Sequence, residues 1–212
     1  MQSFKSLSNF VSKFQYLFWD FDGVIKDTIR VKGEAFKDLF FEESESFKTK
    51  ILNYHLENQG ISRHEKIKEY LIWKKNYNQK NLKHYLDQFS SIVVDKVLQS
   101  NWYEDVKDYI LINNYNQNHF LLTQTPQEEI ESILNQSNFI KNFNKIYGWP
   151  NKKSEVIKKI IKDFSFKKKK CIMIGDSKTD LNASRDNKIT FLLHLTKENR
   201  SIFRNIKVKY YQ

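Results

Sequence analysis

Short apolar runs that alternate with helix-like segments are the feature of this sequence that most constrains its fold. Each run spans four or five residues, is bounded by polar residues or glycine, and is apolar at successive positions. Successive apolar positions are typical of strands that are buried on both faces of a parallel sheet. The predicted strands are Tyr16–Trp19, His119–Thr123, Lys145–Gly148, Cys171–Gly175 and Thr190–His194.

Amphipathic segments between these runs predict crossover helices. Pro126–Gln136 begins with a proline, which suits a first helical turn, and Ser154–Phe164 has apolar residues at helical spacing. Ser154 or Asn151 would cap the second of these helices. Alternation of strand and helix predicts an α/β fold with a doubly wound parallel sheet and right-handed crossovers.

The interval from residue 29 to residue 100 breaks this alternation, because it contains helical patterns but no convincing strand. We therefore predict an α-helical insertion. The expected division is an α/β core domain formed by residues 1–28 and 101–212, and a helical domain formed by residues 29–100. The helical patterns of the insertion are Glu34–Phe41, Phe47–Leu56, Glu65–Trp73 and Leu82–Leu98.

Composition limits the function classes. The 212 residues include a single cysteine, Cys171, which suits a reducing compartment, and the N-terminus has no apolar segment long enough for a signal peptide or a membrane span. A cytoplasmic protein without membrane partners is expected. The net charge of +11 favours anionic ligands, but the lysines are scattered, so a nucleic-acid partner is weighed low and kept open.

Polar side chains follow four of the predicted strands, and ligands of open α/β sheets bind beyond the carboxyl ends of the strands. These residues are Asp20 and Asp22 after the first strand, Thr123 at the end of the second, Lys152 and Lys153 after the third, and Asp176 and Asp180 after the fourth. Carboxylates that meet at one point need a cation, and Mg²⁺ prefers such oxygen ligands. One carboxylate can attack phosphorus, a second can transfer protons, and a hydroxyl and a lysine can hold the phosphoryl oxygens.

Four short motifs occur in a defined order, each at a predicted strand end. The sequence DFDGV with Thr28 resembles motif I of the haloacid dehalogenase (HAD) superfamily, and LLTQTP resembles motif II with its Ser/Thr. KKSEVIKKI supplies a motif III lysine, and GDSKTD matches motif IV. Together they resemble the phosphoglycolate phosphatase-like HAD hydrolases that carry a helical C1 cap.

This resemblance implies a role for each matching acid. Asp20 would be the nucleophile and a Mg²⁺ ligand, and Asp22 would be the general acid/base, with its main-chain carbonyl also on the metal. Asp176 would be the metal-binding acid of motif IV. Asp180, one helical turn beyond it, would support the metal site.

The resemblance also implies two phosphate-binding residues. Thr123 and the neighbouring main-chain amide would bind the phosphoryl group. Lys153 is preferred over Lys152 as the site lysine because the family's lysine often precedes a small residue and Glu, as Lys153 does here. In the insertion, Arg63 is a candidate for binding a substrate anion.

The predicted function is that of a phosphoric monoester hydrolase, a Mg²⁺-dependent phosphatase that acts on a small phosphorylated metabolite through an aspartyl-phosphate intermediate. An acid at position 22 favours a leaving group that needs a proton. The alternatives are a sugar phosphomutase of the same fold, a basic nucleic-acid-binding protein and a polynucleotide phosphatase. The sequence does not indicate the substrate or the oligomeric state.

Overall fold

The computed structural model describes residues 2–3 and 7–212, and its centre is a seven-stranded, all-parallel sheet. The strands are β1 (Gln2–Ser3), β2 (Tyr16–Trp19), β3 (Asn118–Pro126), β4 (Lys145–Trp149), β5 (Cys171–Gly175), β6 (Thr190–His194) and β7 (Lys209–Tyr211). Their spatial order is β1-β7-β6-β5-β2-β3-β4. The predicted α/β fold with a parallel sheet is confirmed.

The sheet is buried on both faces, which explains why its strands are apolar at successive positions. Leu17 and Trp19 of β2 point into one apolar cluster, and Phe18 between them points into a second one. Strand side chains alternate between the two faces, so each strand contributes to both clusters. All three side chains are fully buried.

Six helices accompany the strands of the sheet in the described part of the chain. Apolar residues of α1, α6 and α7 belong to the first cluster, and those of α8, α9 and α10 belong to the second. Their bounds are α1 Leu7–Val11, α6 Glu104–Ile112, α7 Gln127–Gln136, α8 Lys153–Asp163, α9 Lys178–Asn187 and α10 Arg200–Phe203. Two 3₁₀ turns, Ile140–Asn142 and Lys168–Lys170, complete the set.

Four consecutive helices fill the interval in which the sequence shows no strand pattern. They are α2 (Ile29–Leu39), α3 (Glu45–Glu57), α4 (Arg63–Trp73) and α5 (Gln79–Gln99). Ser62 begins α4 with a capping box that it shares with Glu65. Aromatic rings join the four helices, as in the stack of Phe36 on Phe89, whose centroids lie 4.1 Å apart.

The order of the strands places β2 at the centre of the site. From β2 the chain first builds β3 and β4 on one side and then β5, β6 and β7 on the other. Such a reversal of direction creates a crevice at the carboxyl ends of the strands. Because Trp19 at the end of β2 is in register with Ile174 of β5, the residues that follow the two strands emerge side by side.

The structure differs from the sequence-based expectations at several boundaries. The edge strands β1 and β7 were not predicted, because the two-residue and three-residue pairings are too short to show a periodicity. Strand β3 continues to Pro126, so that α7 begins one residue later than expected. Helix α8 begins at Lys153 with Lys152 at its N-cap, whereas Ser154 or Asn151 was expected there.

Within residues 2–3 and 7–212, none of the helices is both long enough and apolar enough to cross a bilayer.

Two neighbouring phenylalanines allow a test of how the four-helix insertion is stabilised. Phe40 is 2% exposed and its ring contacts Phe47, Tyr70 and Tyr85, whereas Phe41 is 72% exposed. We expect Phe40→Ala to lower the free energy of unfolding by about 3–5 kcal/mol because it leaves a cavity. Phe41→Ala should change it by less than about 0.5 kcal/mol. Urea unfolding measures both, and equal effects would contradict the packing described.

Candidate functional site

Three buried carboxylates meet where β2 and β5 end. Asp20 follows β2 directly, Asp176 follows β5, and Asp180 lies in the first turn of α9. One oxygen of each lies within 4.8 Å of one oxygen of the other two. The three residues are no more than 4% exposed. The structure therefore brings Asp20 together with two acids that lie more than 150 residues later in the sequence.

A single lysine connects two of these acids. Lys153 Nζ lies 2.7 Å from Asp20 Oδ2 and 2.7 Å from Asp180 Oδ1, and its side chain is 4% exposed. Lys152 is directed to solvent, with 79% of its side chain exposed, and pairs with Glu155 at 3.5 Å. Adjacent residues at the start of a helix point in different directions, which explains why only Lys153 reaches the acids.

The carboxylate oxygens of the clustered acids differ in whether they have a hydrogen-bond partner. Both oxygens of Asp180 are used, because Lys153 donates to Oδ1, while the main-chain NH and the hydroxyl of Ser177 donate to Oδ2. In contrast, Asp176 Oδ2 is buried and has no hydrogen-bond partner. A cation shared by Asp20 and Asp176 would satisfy that oxygen, with Asp180 holding Lys153 in place.

Charge in this cluster is unbalanced, since three carboxylates share one ammonium group, which contacts only two of them. Burial and the charge of Asp180 raise the pKa of Asp20 to about 8, although Lys153 acts in the opposite direction. Burial together with the charges of Asp20 and Asp180 raises the pKa of Asp176 well above its usual range. A divalent cation with a preference for oxygen ligands fits this arrangement, because it would supply the missing positive charge.

Asp22 lies in a different environment from the three clustered acids. Thr28 Oγ1 donates to its Oδ1 at 2.6 Å, and Lys32 Nζ and Thr125 Oγ1 donate to its Oδ2 at 2.7 and 3.2 Å. Although burial opposes it, the charge and hydrogen bond of Lys32 lower the pKa of Asp22 below its ordinary value. The structure thus holds Asp22 as a carboxylate beside acids whose pKa values are raised.

Lys32 and Thr125 are site residues that the sequence analysis missed. Lys32 also donates to Thr125 Oγ1 at 2.9 Å, so the two form one hydrogen-bonded group with Asp22. Thr125 follows Thr123 by two positions, and residues two apart in a strand point to the same side. This spacing could have indicated Thr125, but Lys32 lies in α2 and offered no comparable signal.

The two remaining predictions for phosphate and anion binding have different outcomes. The hydroxyl of Thr123 is buried and accepts a hydrogen bond from the main-chain NH of Thr125 at 3.1 Å, and Gln124, not Thr123, lines the cavity beside the acids. A phosphate contact of Thr123 stays a prediction. Arg63 lines the same cavity, but it forms a two-pronged ion pair with Glu129 of α7 at 2.6 and 2.5 Å.

The cavity above the acids is enclosed by the helical insertion. Its floor is formed by Asp20, Asp22, Lys153 and Asp176, and its walls and roof come from α2 to α5 and the loop before α4. Gly60 of this loop has φ +82°, and an added Cβ would lie 2.2 Å from Thr179 Oγ1. Glycine therefore permits the close approach of the insertion to the acid-bearing loop. The residues contributed by the insertion are Ile29, Lys32, Phe36, His55, Gln59, Gly60, Ile61, Arg63, Lys66 and Phe89.

Gly23 has a comparable role beneath the cavity. It adopts φ +71°, and a Cβ at this position would lie 2.3 Å from Asp176 Oδ2. The glycine that follows Asp22 therefore allows the first acidic loop to approach the carboxylate of Asp176. The DxDG pattern thus combines two acids with the glycine conformation that lets their loop approach Asp176.

The unbalanced charge predicts a specific pH dependence of stability without metal. Because the folded-state pKa of Asp176 is raised, the folded protein holds this proton more tightly, and stability falls as pH rises above about 4. In the presence of a chelator at pH 8, Asp176→Asn should raise the free energy of unfolding by about 1–3 kcal/mol. The gain should vanish near pH 4. Urea unfolding at both pH values measures this difference.

The matched control for this test is Asp186→Asn, since Asp186 belongs to α9 but is exposed outside the cavity. It should show neither the gain at pH 8 nor the pH dependence. An Asp176→Asn protein that is destabilised equally at both pH values would show that Asp176 is not under electrostatic strain.

Solved structures with the same architecture include three from bacteria. A predicted phosphoglycolate phosphatase from Haemophilus somnus superposes with a TM-score of 0.75 at 13% identity, with 94% of each chain covered. A predicted phosphatase from Clostridium acetobutylicum has a TM-score of 0.69 at 16% identity, again with 94% of each chain covered. The magnesium-bound HAD-hydrolase YfnB from Bacillus subtilis has a TM-score of 0.70 at 16% identity and the same coverage. At these identities the likeness establishes the fold.

Sequence comparison identifies the family. No curated protein matches the sequence. The sequence model of the haloacid dehalogenase-like hydrolases matches residues 17–194, an interval that contains all of the acids and the lysine described above. The predicted superfamily and the prediction of a hydrolase are thus confirmed. The chain belongs to the haloacid dehalogenase-like hydrolase family.

Proposed function

We propose that this hydrolase is a Mg²⁺-dependent phosphatase that cleaves a small phosphorylated metabolite through an aspartyl-phosphate on Asp20. The observation that carries the proposal is the cluster of Asp20, Asp176 and Asp180 around Lys153, with one buried oxygen of Asp176 left without a partner. The magnesium-bound state of the similar YfnB structure supports the choice of metal.

In the proposed metal site, Asp20 and Asp176 supply carboxylate ligands and Asp22 supplies its main-chain carbonyl. Asp180 supports the site by holding Lys153 and the loop of Ser177. When bound, Mg²⁺ would neutralise the clustered carboxylates and the oxygens of the transferring phosphoryl group. It would also lower the pKa of Asp20, so that this side chain is ionised and able to attack.

In the first half-reaction, a carboxylate oxygen of Asp20 bonds to phosphorus while the bond from phosphorus to the leaving oxygen breaks. Asp22 gives its proton to that oxygen. Lys32 lowers the pKa of Asp22 through its charge and its hydrogen bond. Asp22 can therefore carry a proton only when its contact with Lys32 weakens. An entering anionic phosphoryl group would weaken this contact, since it attracts Lys32 and raises the pKa of Asp22.

In the second half-reaction, water attacks the phosphorus of the aspartyl-phosphate and gives a proton to Asp22, which regenerates Asp20 and releases phosphate. The carboxylate form of Asp22, which the charge and hydrogen bond of Lys32 favour by lowering its pKa, is the form needed for this step. Lys153 and Thr123 would hold the phosphoryl oxygens throughout, where negative charge accumulates.

The helical segment 29–100 is proposed as the cap domain over a core of residues 1–28 and 101–212, of which residues 1 and 4–6 lie outside the described part. The cavity between them suits a small substrate and limits the access of water. We also propose a cytoplasmic location. A nucleic-acid partner is not part of the proposal, because the cavity beside the acids is small and enclosed by the helical insertion.

The direct test uses p-nitrophenyl phosphate and a panel of phosphorylated metabolites, with Mg²⁺ and with a chelator. The wild-type protein should release phosphate only with Mg²⁺, and Asp20→Asn should lower kcat by at least about 10³-fold, because it lacks the nucleophile. If the wild-type protein and Asp20→Asn are equally silent on every substrate, the proposed activity is wrong.

Two adjacent lysines provide a matched test of the site lysine. Lys153→Met should lower kcat by about 10²–10³-fold, because it removes the charge beside Asp20 that would face the transferring oxygens. Lys152→Met should stay within about twofold of the wild type, because its side chain points to solvent. A larger loss for Lys152→Met than for Lys153→Met would reverse the assignment.

A further inference from the structure

Lys66 is a buried cation of the cavity that the proposed phosphoryl transfer does not use. It belongs to α4, is 3% exposed, and lies in the roof of the cavity. Its Nζ contacts Nδ1 of His55 at 3.1 Å, and Nε2 of His55 contacts the carbonyl oxygen of Ile29 at 2.8 Å. Because a carbonyl only accepts, Nε2 carries the proton and Nδ1 is the acceptor for Lys66.

The other cations around the cavity each have an acidic partner. Lys32 pairs with Asp22, Lys153 pairs with Asp20 and Asp180, and Arg63 pairs with Glu129. For Lys66, the described part of the chain places no carboxylate within ion-pair distance. Burial, with a contribution from the charge of Lys32, accordingly lowers the pKa of Lys66 to about 7. An anionic group placed beside this amine would raise its pKa again and favour the charged form.

Gln59 lines the same cavity and has a buried polar atom without a hydrogen-bond partner. It is 6% exposed, and its Nε2 donates to the carbonyl oxygen of Leu56 at 3.0 Å, while its Oε1 is buried without a partner. Buried polar atoms of folded proteins are normally hydrogen-bonded. A donor that entered the cavity with a ligand would complete the hydrogen bonding of Gln59.

Lys66 and Gln59 line the same cavity as the acids and have apolar neighbours there. Phe36 and Phe89 line this space, and their rings stack on each other at 4.1 Å. An ion pair between Lys66 and a ligand would form away from bulk water, where it is stronger than at the surface. The roof therefore offers one cation and one acceptor to the part of a substrate that points away from Asp20.

We propose that Lys66 and Gln59 form a subsite for the leaving group, in which Lys66 binds an anionic group and Gln59 Oε1 accepts a hydrogen bond from a hydroxyl group. This inference rests on the proposed phosphatase function and specifies its substrate class. The substrate is a small phosphomonoester whose alcohol carries a hydroxyl group and an anion. Either a carboxylate or a second phosphoryl group provides the anion.

The test compares substrates that differ in one group. The ratio of kcat/KM for 3-phosphoglycerate to that for glycerol 3-phosphate isolates the carboxylate, and the ratio for 1,3-propanediol bisphosphate to that for propyl phosphate isolates the second phosphoryl group. The wild type should favour the anionic member of at least one pair by about 10–100-fold, the range for a hydrogen bond to a charged group. Whichever pair shows the preference identifies the anion.

Variants assign this preference to the two residues. Lys66→Met should lower the favoured ratio by at least about tenfold, while Lys68→Met, an exposed lysine of the same helix, should leave it unchanged. Gln59→Leu should reduce the preference for 3-phosphoglycerate over the phosphate ester of 3-hydroxypropionate, which lacks the free hydroxyl group. Wild-type ratios near one, or an unchanged ratio in Lys66→Met, would overturn the subsite even if the protein hydrolyses phosphomonoesters.

Binding separates a failure of the subsite from a failure of the proposed function. In calorimetry with Mg²⁺, Asp20→Asn should bind the anionic member of at least one of the two pairs about tenfold more tightly than the other member, and adding Lys66→Met should abolish this difference. If the wild type hydrolyses nothing but this difference is found, the subsite stands without the hydrolase. Equal binding of both members of each pair would refute the subsite.

Discussion

The crowding of three buried carboxylates around one ammonium group is the interaction on which the site depends. Asp20, Asp176 and Asp180 approach within 4.8 Å because two parallel strands end in register at the centre of the sheet. Burial makes their mutual repulsion strong, and Lys153 offsets only part of it. In the absence of metal, the folded state therefore keeps protons on acids that would ionise in water. A divalent cation, as proposed above, would relieve this repulsion.

The helical insertion completes the site by enclosing it. Arg63 reaches Glu129 on the core helix α7, and Gly60 brings the loop before α4 against the loop that carries Asp176. The resulting cavity has the acids on one side and Lys66 and Gln59 on the other. In the proposed mechanism, phosphoryl transfer and recognition of the leaving group therefore belong to different parts of the chain, which the buried ion pair of Arg63 and Glu129 joins.

Much of the fold was predictable because strands that are buried on both faces of the sheet have apolar residues at successive positions. The five central strands and the four helices of the insertion were indicated by apolar runs and helical spacing, whereas β1 and β7 are too short to show such a pattern. The convergence of Asp20, Asp176 and Asp180 followed from their places at strand ends. The contacts of Lys32 with Asp22 and of Lys66 with His55 could not be predicted in this way, because they depend on how helices pack over the sheet. In a chain with so many lysines, charge alone does not distinguish a buried lysine from a solvated one.

The most direct measurement of the central claim is the number of protons released when Mg²⁺ binds. Calorimetry at pH 7 in two buffers of different ionisation enthalpy gives this number, because released protons are taken up by the buffer. If clustered carboxylates hold protons until a metal replaces them, Mg²⁺ should bind with release of about one proton, and Asp176→Asn should abolish the binding. Binding heats that are identical in both buffers, or that persist in Asp176→Asn, would contradict the account.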